Sequence, residues 1–235
     1  MKVKHLVGAF LCVLGCYACS SPKTEVQSPD GHIKMTLTVD ENGKPFYNVS
    51  VDDSLLIENS AMGFTAANGI ILAEGFQVKN TTFSSEDETW TQPWGENKKN
   101  RNHYNEMAVS LTNEDQVQLT LRFRVFDDGI GFRYEYTVPT VDSLLITDEL
   151  TTFRFHRDGT SWSIPASAET YELLYQQQPI SEVETANTPF TFKTADGVYG
   201  SIHEAALYDF PEMTLKQIGH YTLKAELAPW PDGIK

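Results

Sequence analysis

The chain has 235 residues, of which 40% are hydrophobic and 21% are charged, so it carries enough apolar material for one packed core. Its formal net charge is −14 at pH 7. Such an acidic chain is unsuited to nucleic acid, because binding to phosphates depends on clustered lysine and arginine side chains. The composition therefore predicts a globular protein that does not bind nucleic acid.

An export signal is predicted over residues 1–19, where two lysines precede an apolar run of roughly 13 residues. This run is too short to span a bilayer. Both VLGC and YACSS resemble lipoprotein cleavage boxes, so Cys16 and Cys19 are candidates for lipidation, and the serines after Cys19 favour Cys19. The alternative is an ordinary signal peptide with incidental cysteines. We expect a periplasmic protein that, if lipidated, meets the outer membrane only through its lipid anchor.

Residues 20–29 are polar and predict a short tether before the folded domain. Beyond them, alternating apolar and polar residues predict β-strands. Residues 33–39 alternate in this way, Asn42-Gly43 is typical of a hairpin turn, and residues 46–51 form the expected return strand. A second hairpin is predicted from residues 117–125 and 130–136, which alternate on either side of a turn.

Helical patterns are scarce, and the one short helix that the sequence suggests covers residues 166–176, directly after Pro165. Many short strands with at most one or two short helices indicate an all-β fold. The length favours a large antiparallel two-sheet sandwich, formed by a single domain over residues 30–235.

Two tryptophans, Trp90 and Trp94, flank a proline in a long polar segment. Exposed tryptophans stack on the apolar faces of sugar rings, and the surrounding amides could bind sugar hydroxyls. The alternative is that these rings pin the loop onto the core. The residue types alone favour this alternative slightly.

The segment SIHEAALYDF contains an adjacent imidazole and carboxylate, His203 and Glu204. It begins like the zinc motif HExxH, but Leu207 stands where the second histidine is needed. On a regular strand the two side chains would point to opposite faces, which argues against a His–Glu dyad. Glu204 alone is a suitable oxygen donor for Ca²⁺, and the alternative is an ordinary surface carboxylate.

Four stretches carry a resemblance to a known family: SPDGHIKMTLTVDENGKPFYNVS, PWGENKKNRNHYNEM, FRVFDDGIGFRYEY and SIHEAALYDF. In this order they resemble the N-terminal domain of glycoside hydrolase family 97. The resemblance implies a β-super-sandwich of the mutarotase-like type. It also implies a part in α-glucosidases or α-galactosidases of polysaccharide utilisation, in which a (β/α)₈ barrel follows this domain.

The same resemblance implies where chemistry should lie. In family 97 the barrel supplies the acid and the base or nucleophile, so we expect this chain, which ends before a barrel, to be inactive alone. Glu204 matches a ligand of a Ca²⁺ ion that the barrel shares. The strand before Leu227 should edge the pocket for an α-linked oligosaccharide, which implies substrate binding by Lys224, Ala225 and Glu226.

Two other functions stay open at this point. Trp90 and Trp94, together with the export signal, are compatible with a stand-alone carbohydrate-binding lipoprotein. A mutarotase-like enzyme rests on fold analogy alone and would need a histidine and a carboxylate on one concave face. Its candidate residues are His103, His156 and His203.

Overall fold

The computed structural model describes residues 24–167, 169–208 and 210–228. Nineteen strands and two three-residue 3₁₀ helices, Ala67–Gly69 and Ile180–Glu182, make up the regular structure of these residues. In chain order the strands are β1 Glu25–Gln27, β2 Ile33–Val39, β3 Pro45–Val51, β4 Ser54–Ala61, β5 Phe64–Ala66, β6 Ile71–Leu72, β7 Gln77–Thr91, β8 Lys99–Thr112, β9 Gln118–Phe126, β10 Gly129–Thr137, β11 Ile146–Glu149, β12 Thr152–Arg154, β13 Gly159–Ser163, β14 Gln176–Pro179, β15 Thr185–Asn187, β16 Phe190–Thr194, β17 Tyr199–Ile202, β18 Met213–Gly219 and β19 Thr222–Leu227.

The strands form five antiparallel sheets, which confirms the predicted all-β class. The first two sheets have the strand orders β1-β2-β3-β4 and β10-β9-β8-β7. A small sheet, β11-β5-β6, is followed by the orders β12-β19-β18-β15 and β14-β13-β16-β17. No helix in the described ranges is long and apolar enough to cross a membrane.

Both predicted hairpins are present, as β2–β3 and β9–β10. Their inward side chains are apolar and alternate with polar ones, so each strand buries one face. Phe123 of β9 is completely buried and packs near Phe132 of β10, with ring centroids 6.1 Å apart. Phe132 in turn meets Tyr47 of β3 with ring centroids 5.5 Å apart, so the two predicted hairpins share one core.

Two local expectations are wrong. Residues 25–27, part of the predicted tether, form β1, because Val26 opposite Met35 adds an apolar side chain to the core. The helix expected over 166–176 is absent from the described residues there. Leu174 is 87% exposed, so the apolar residues of this segment have no buried face, and Gln176 instead begins β14 beside β13.

A network of ion pairs lies on the outer face of β8, β9 and β10. Arg122 donates to Glu106 at 2.6 Å and to Glu135 at 2.9 Å, and Arg124 donates to Glu106 at 2.7 Å. The paired guanidinium of Arg122 lowers the pKa of Glu135 to about 2. Burial opposes ionisation of Glu106, but its arginine partners still lower its pKa. The sheet therefore satisfies its own charges on the outer face.

Candidate functional site

The site begins where β17 ends, and the chain from there to β18 is here named the Glu204 loop (residues 203–208 and 210–212). His203 and Glu204 lie beyond the strand, so the assumption that both belong to a regular strand is wrong. The imidazole of His203 turns back, with Nδ1 2.7 Å from the carbonyl oxygen of Glu204. His203 therefore forms no dyad with the Glu204 carboxylate.

One of the two carboxylate oxygens of Glu204 is firmly hydrogen-bonded, and the other is not. The backbone N–H of Met213, the first residue of β18, donates to Oε1 at 2.6 Å. The hydroxyl of Thr188 donates to Oε2 at 3.5 Å, which is a long and weak hydrogen bond. The carboxylate is thus oriented by the sheet while Oε2 keeps capacity for another ligand.

Burial raises the pKa of Glu204, and the charge of Glu212 adds to that increase while the Met213 N–H opposes it. Glu149, at the end of β11, lies deeper, with only 8% of its surface exposed. Burial also raises the pKa of Glu149, and the negative charge of Glu204 contributes to the same effect. Neighbouring carboxylates in a partly buried site repel each other, and a cation would relieve that repulsion.

Calcium needs six to eight oxygen ligands, often from several segments. In the part of the chain that the structure describes, no group of three or more His, Cys, Asp or Glu side chains is arranged to hold a metal ion. The carboxylate oxygens of Glu204 are suitable ligands for Ca²⁺, but the described residues supply only part of such a site. The remaining ligands would have to come from elsewhere.

Two loops near Glu204 carry exposed apolar side chains. The second loop is here named the Tyr171 loop (residues 164–167 and 169–175), and the Tyr171 hydroxyl donates a hydrogen bond to Glu212 of the Glu204 loop. Phe210 connects the Glu204 loop to the core through an edge contact with Phe64, with centroids 6.2 Å apart. We name the exposed side chains of both loops the apolar rim: Tyr171, Leu173, Leu174, Tyr175, Leu207, Tyr208 and Phe210.

The predicted sugar-binding residues lie consecutively on β19. Lys224 reaches Asp148 with Nζ 2.6 Å from Oδ1, and its charge acts on Glu149, which places it near the Glu204 site. Ala225 is completely buried, so its side chain has no access to a ligand in this fold. Glu226 points to the same face as Lys224 and pairs with Lys216 at 3.1 Å.

The two loop tryptophans lie in a different sheet. Strand β9 pairs with β8 only from Tyr104 onwards, so the tip of the β7–β8 hairpin extends past the sheet as a two-stranded ribbon. At this tip Trp90 is 50% exposed and Trp94 is 82% exposed. The interpretation that these rings pin the loop onto the core is therefore wrong.

Sequence reasoning found Glu204 but missed the groups around it. Glu149 carries no motif, and the Tyr171 loop was interpreted as a helix. No signal in the segment ETYELLYQ argues against a helix, because Glu169, Glu172 and Gln176 share one helical face and most of its apolar side chains lie on the other. The candidate histidines of a mutarotase are dispersed: His156 pairs with Glu58 at 2.7 Å, and His103 lies 3.4 Å from Asp127.

Comparison with known proteins agrees with this architecture. The family model described as Glycosyl-hydrolase 97 N-terminal matches residues 26–230. A retaining alpha-galactosidase of Bacteroides thetaiotaomicron is 25% identical over 246 residues, covering 97% of this chain and 36% of that protein. The chain thus spans about a third of the length of this relative.

Solved structures are similar as well. A glycoside hydrolase family 97 enzyme from Pseudoalteromonas sp. strain K8, in complexes with panose and with acarbose, is 37% identical with a TM-score of 0.83. The match covers 89% of this chain and 32% of that one. A beta-arabinopyranosidase shares the fold, with a TM-score of 0.77 at 22% identity over 86% of this chain and 35% of that one. The chain therefore belongs to the glycosyl-hydrolase 97 N-terminal family.

Proposed function

We propose that this chain serves as the N-terminal domain of an α-glycosidase that acts on α-linked oligosaccharides. In this proposal it packs against a catalytic domain and contributes Glu204 to a Ca²⁺ site beside the sugar. The observation that carries the proposal is the Glu204 carboxylate, which is oriented through one oxygen and open at the other. It lies near the carboxylates of Glu212 and Glu149, and its own loop and the Tyr171 loop expose apolar side chains.

The apolar rim supports docking to another domain. Tyr208 is 82% exposed and Leu174 is 87% exposed, and a surface of this kind is typical of a protein–protein contact. The chain covers about a third of the relatives it matches, so in this proposal the remaining part of such a protein supplies the partner surface. The relatives' catalytic domains are the expected partner, on the same chain or on a separate one.

A bound Ca²⁺ would supply positive charge beside the sugar and favour the ionised form of nearby carboxyl groups. This chain's own residues would orient the ligand. The N–H of Met213 fixes the Glu204 carboxylate relative to β18, while Oε2, which receives only the long hydrogen bond from Thr188, stays available to the ion. Repulsion from Glu149 and Glu212 raises the energy of the empty, ionised site, which favours a cation there.

We further propose that Lys224 and Glu226 edge the sugar pocket, because both side chains leave the same face of β19 near the Glu204 loop. The ammonium group of Lys224 donates hydrogen bonds and accepts none, and in this proposal it moves from Asp148 to a sugar hydroxyl. Ala225 would act only by packing, since it is completely buried. With the acid and base on the catalytic domain, the chain alone should not hydrolyse α-glycosides.

A lanthanide experiment tests the metal assignment. Terbium replaces Ca²⁺ at oxygen sites and luminesces when a nearby aromatic ring transfers energy to it, and Tyr171 lies beside Glu212. The full chain should give terbium luminescence that Ca²⁺ suppresses at roughly millimolar concentration, in the range of weak extracellular sites. Glu204→Gln should lose this signal, whereas Glu182→Gln, an exposed carboxylate on a 3₁₀ helix, should keep it. Equal signals from both variants would show that Glu204 is not a ligand.

We also propose that the protein is exported and that Cys19 is lipidated. The whole export signal, with Cys16 and Cys19, lies outside the described residues. The support is the sequence alone: basic residues, a short apolar run and a cysteine followed by serines. Labelling cells with a radioactive fatty acid should mark the wild-type protein. Cys19→Ser should abolish the label and Cys16→Ser should retain it, and the reverse pattern would assign Cys16 instead.

A further inference from the structure

A pair of aromatic rings lies on the outer face of the β14-β13-β16-β17 sheet. The rings of Trp162 and Tyr199 have nearly parallel planes, 18° apart, with centroids separated by 6.3 Å. This separation is within the range found for offset-stacked aromatic pairs. Lys193 places its Nζ 4.9 Å from the centroid of Tyr199 and so occupies one face of that ring. Tyr199 is nevertheless 64% exposed, so much of its surface stays accessible to a ligand.

Strand register explains why these side chains share one face. Lys193 pairs directly with Tyr199, and residues opposite each other in neighbouring strands point the same way. Phe192, one residue earlier, points inward and contacts Phe155 with ring centroids 4.8 Å apart. Its ring fills the space beside Gly200, where a Cβ would lie 2.4 Å from the ring. The inner face is therefore closed, and the outer face carries the aromatic pair.

Polar side chains border the pair on the same face. Trp162 is opposite Gln177 of β14 and Thr191 of β16, and Thr191 is opposite Ser201 of β17. Gln177, Thr191 and Ser201 are all exposed. An amide, two hydroxyls and an ammonium group thus surround flat aromatic surface, and together they can both donate and accept hydrogen bonds.

We propose that this face, the Trp162 platform (Trp162, Tyr199, Lys193, Gln177, Thr191 and Ser201), is an auxiliary binding site for an α-linked oligosaccharide. Sugar rings present C–H groups that stack on aromatic faces and hydroxyls that suit neutral donors and acceptors around them. A protein partner would instead favour a larger apolar surface with fewer polar groups at its centre. The class of sugar rests on the proposed function, since α-glycosides are the expected substrate.

The platform is separate from the Glu204 site but connected to it. Tyr199 begins β17 and Glu204 follows five residues later, so at most about 18 Å of chain joins them. This is an upper limit on the separation, and an oligosaccharide of several sugar units could extend over it. The platform would therefore hold a remote part of an oligosaccharide, or a second one, and raise the local concentration of substrate near Glu204 without taking part in the chemistry.

Calorimetric titration of the full chain with maltoheptaose, a linear α-glucan, tests this proposal. The wild type should bind, and Tyr199→Ala should weaken binding roughly five- to tenfold, the effect of removing one stacking ring. Phe83→Ala is the matched control, because Phe83 is an exposed aromatic side chain on another sheet, outside the platform and outside the Glu204 site. It should leave the affinity unchanged.

Trp162→Ala should weaken binding as Tyr199→Ala does. Because Trp162 is half-buried, the circular dichroism spectrum of the Trp162→Ala variant must match that of the wild type before its affinity for maltoheptaose is interpreted. If this variant unfolds, Tyr199→Ala and Lys193→Met decide the question, since Tyr199 and Lys193 both reach the surface.

Equal affinity of Tyr199→Ala and wild type for maltoheptaose would overturn the platform. Loss of binding in Glu204→Gln alone would place the sugar at the Glu204 site instead. Absence of any maltoheptaose binding would also overturn the platform, while the terbium signal would still report on the proposed function.

Discussion

Strands β8 to β10 and the pair of loops around Glu204 satisfy their side chains in opposite ways. In these strands, Phe123 is completely buried and Arg122 has two carboxylate partners, so apolar and charged groups are both satisfied within the chain. In the loops, Leu174 is largely exposed and Glu204 has one weakly engaged oxygen. The strands are therefore stabilised by contacts within the chain, whereas the loops leave apolar and carboxylate groups available for the proposed docking.

The strongest test of this contrast is Phe123→Ala. Removing a completely buried phenylalanine leaves a cavity, and we expect a loss of about 3–5 kcal/mol in the free energy of unfolding. Urea unfolding followed by tryptophan fluorescence measures this loss. Phe83→Ala is the matched control, because Phe83 on the edge strand β7 is 51% exposed and should cost less than about 1 kcal/mol. Similar losses in both variants would contradict the assignment of the core.

The ion-pair network offers a second test. Arg122→Gln leaves Glu135 and Glu106 with fewer partners, and we expect a loss of about 2 kcal/mol at pH 7. Arg157→Gln, which breaks only the exposed pair with Asp196, should cost about 0–1 kcal/mol. Chemical unfolding at neutral pH compares the two variants directly.

The pH dependence sharpens the Arg122 prediction. Because the pKa of Glu135 is lowered to about 2 in the folded protein, its contribution is complete above the ordinary carboxyl pKa. That contribution is lost as the pH falls towards about 2. In Arg122→Gln the decline over this acidic range should be smaller than in the wild type. An identical acid profile in both proteins would show that the network contributes nothing to acid stability.

Sequence reasoning succeeded in the sheet because its signals are local. The alternation of residues 117–125 determines which side chains face inward, and the turn residues fix where the chain reverses. It failed in the Tyr171 loop because tyrosine and leucine spacing suggests a helix when the tertiary partner is unknown. The exposed positions of Leu174 and Tyr175 agree with the proposed docking of another domain, which this segment's own sequence does not reveal.

The candidate site was predicted in part, and for a different reason. Glu204 was identified through resemblance to a family, since one glutamate in a sequence carries little chemical information. The groups around it belong to separate segments: Thr188 directly follows β15, Met213 begins β18 and Glu149 ends β11. No local pattern connects these segments, so their convergence could not be inferred from the residues alone.

A smaller effect is expected from Glu149→Gln. The folded-state pKa of Glu149 is raised by burial, so the folded protein holds a proton that the unfolded chain releases as the pH rises. Stability should therefore fall with rising pH above the ordinary carboxyl pKa, and Glu149→Gln should remove this fall. At neutral pH the variant should be more stable by about 1 kcal/mol, measured by chemical unfolding. A less stable variant at neutral pH would show that the ionised carboxylate is required in the fold.

The smallest expected effect, Tyr171→Phe, examines the loops directly. It removes only the hydroxyl that donates to Glu212 across the two loops, and Tyr171 is 57% exposed, so the free energy of unfolding should change by less than about 0.5 kcal/mol. The Tyr171 loop should nevertheless open more often, because this hydrogen bond connects it to the Glu204 loop. Limited proteolysis should cleave it faster, while Tyr175→Phe, also exposed, should be cleaved at the wild-type rate. Faster cleavage without a change in global stability would mean that the loops are a locally adjustable surface. Unchanged cleavage would mean that their positions are fixed by the sheet beneath them.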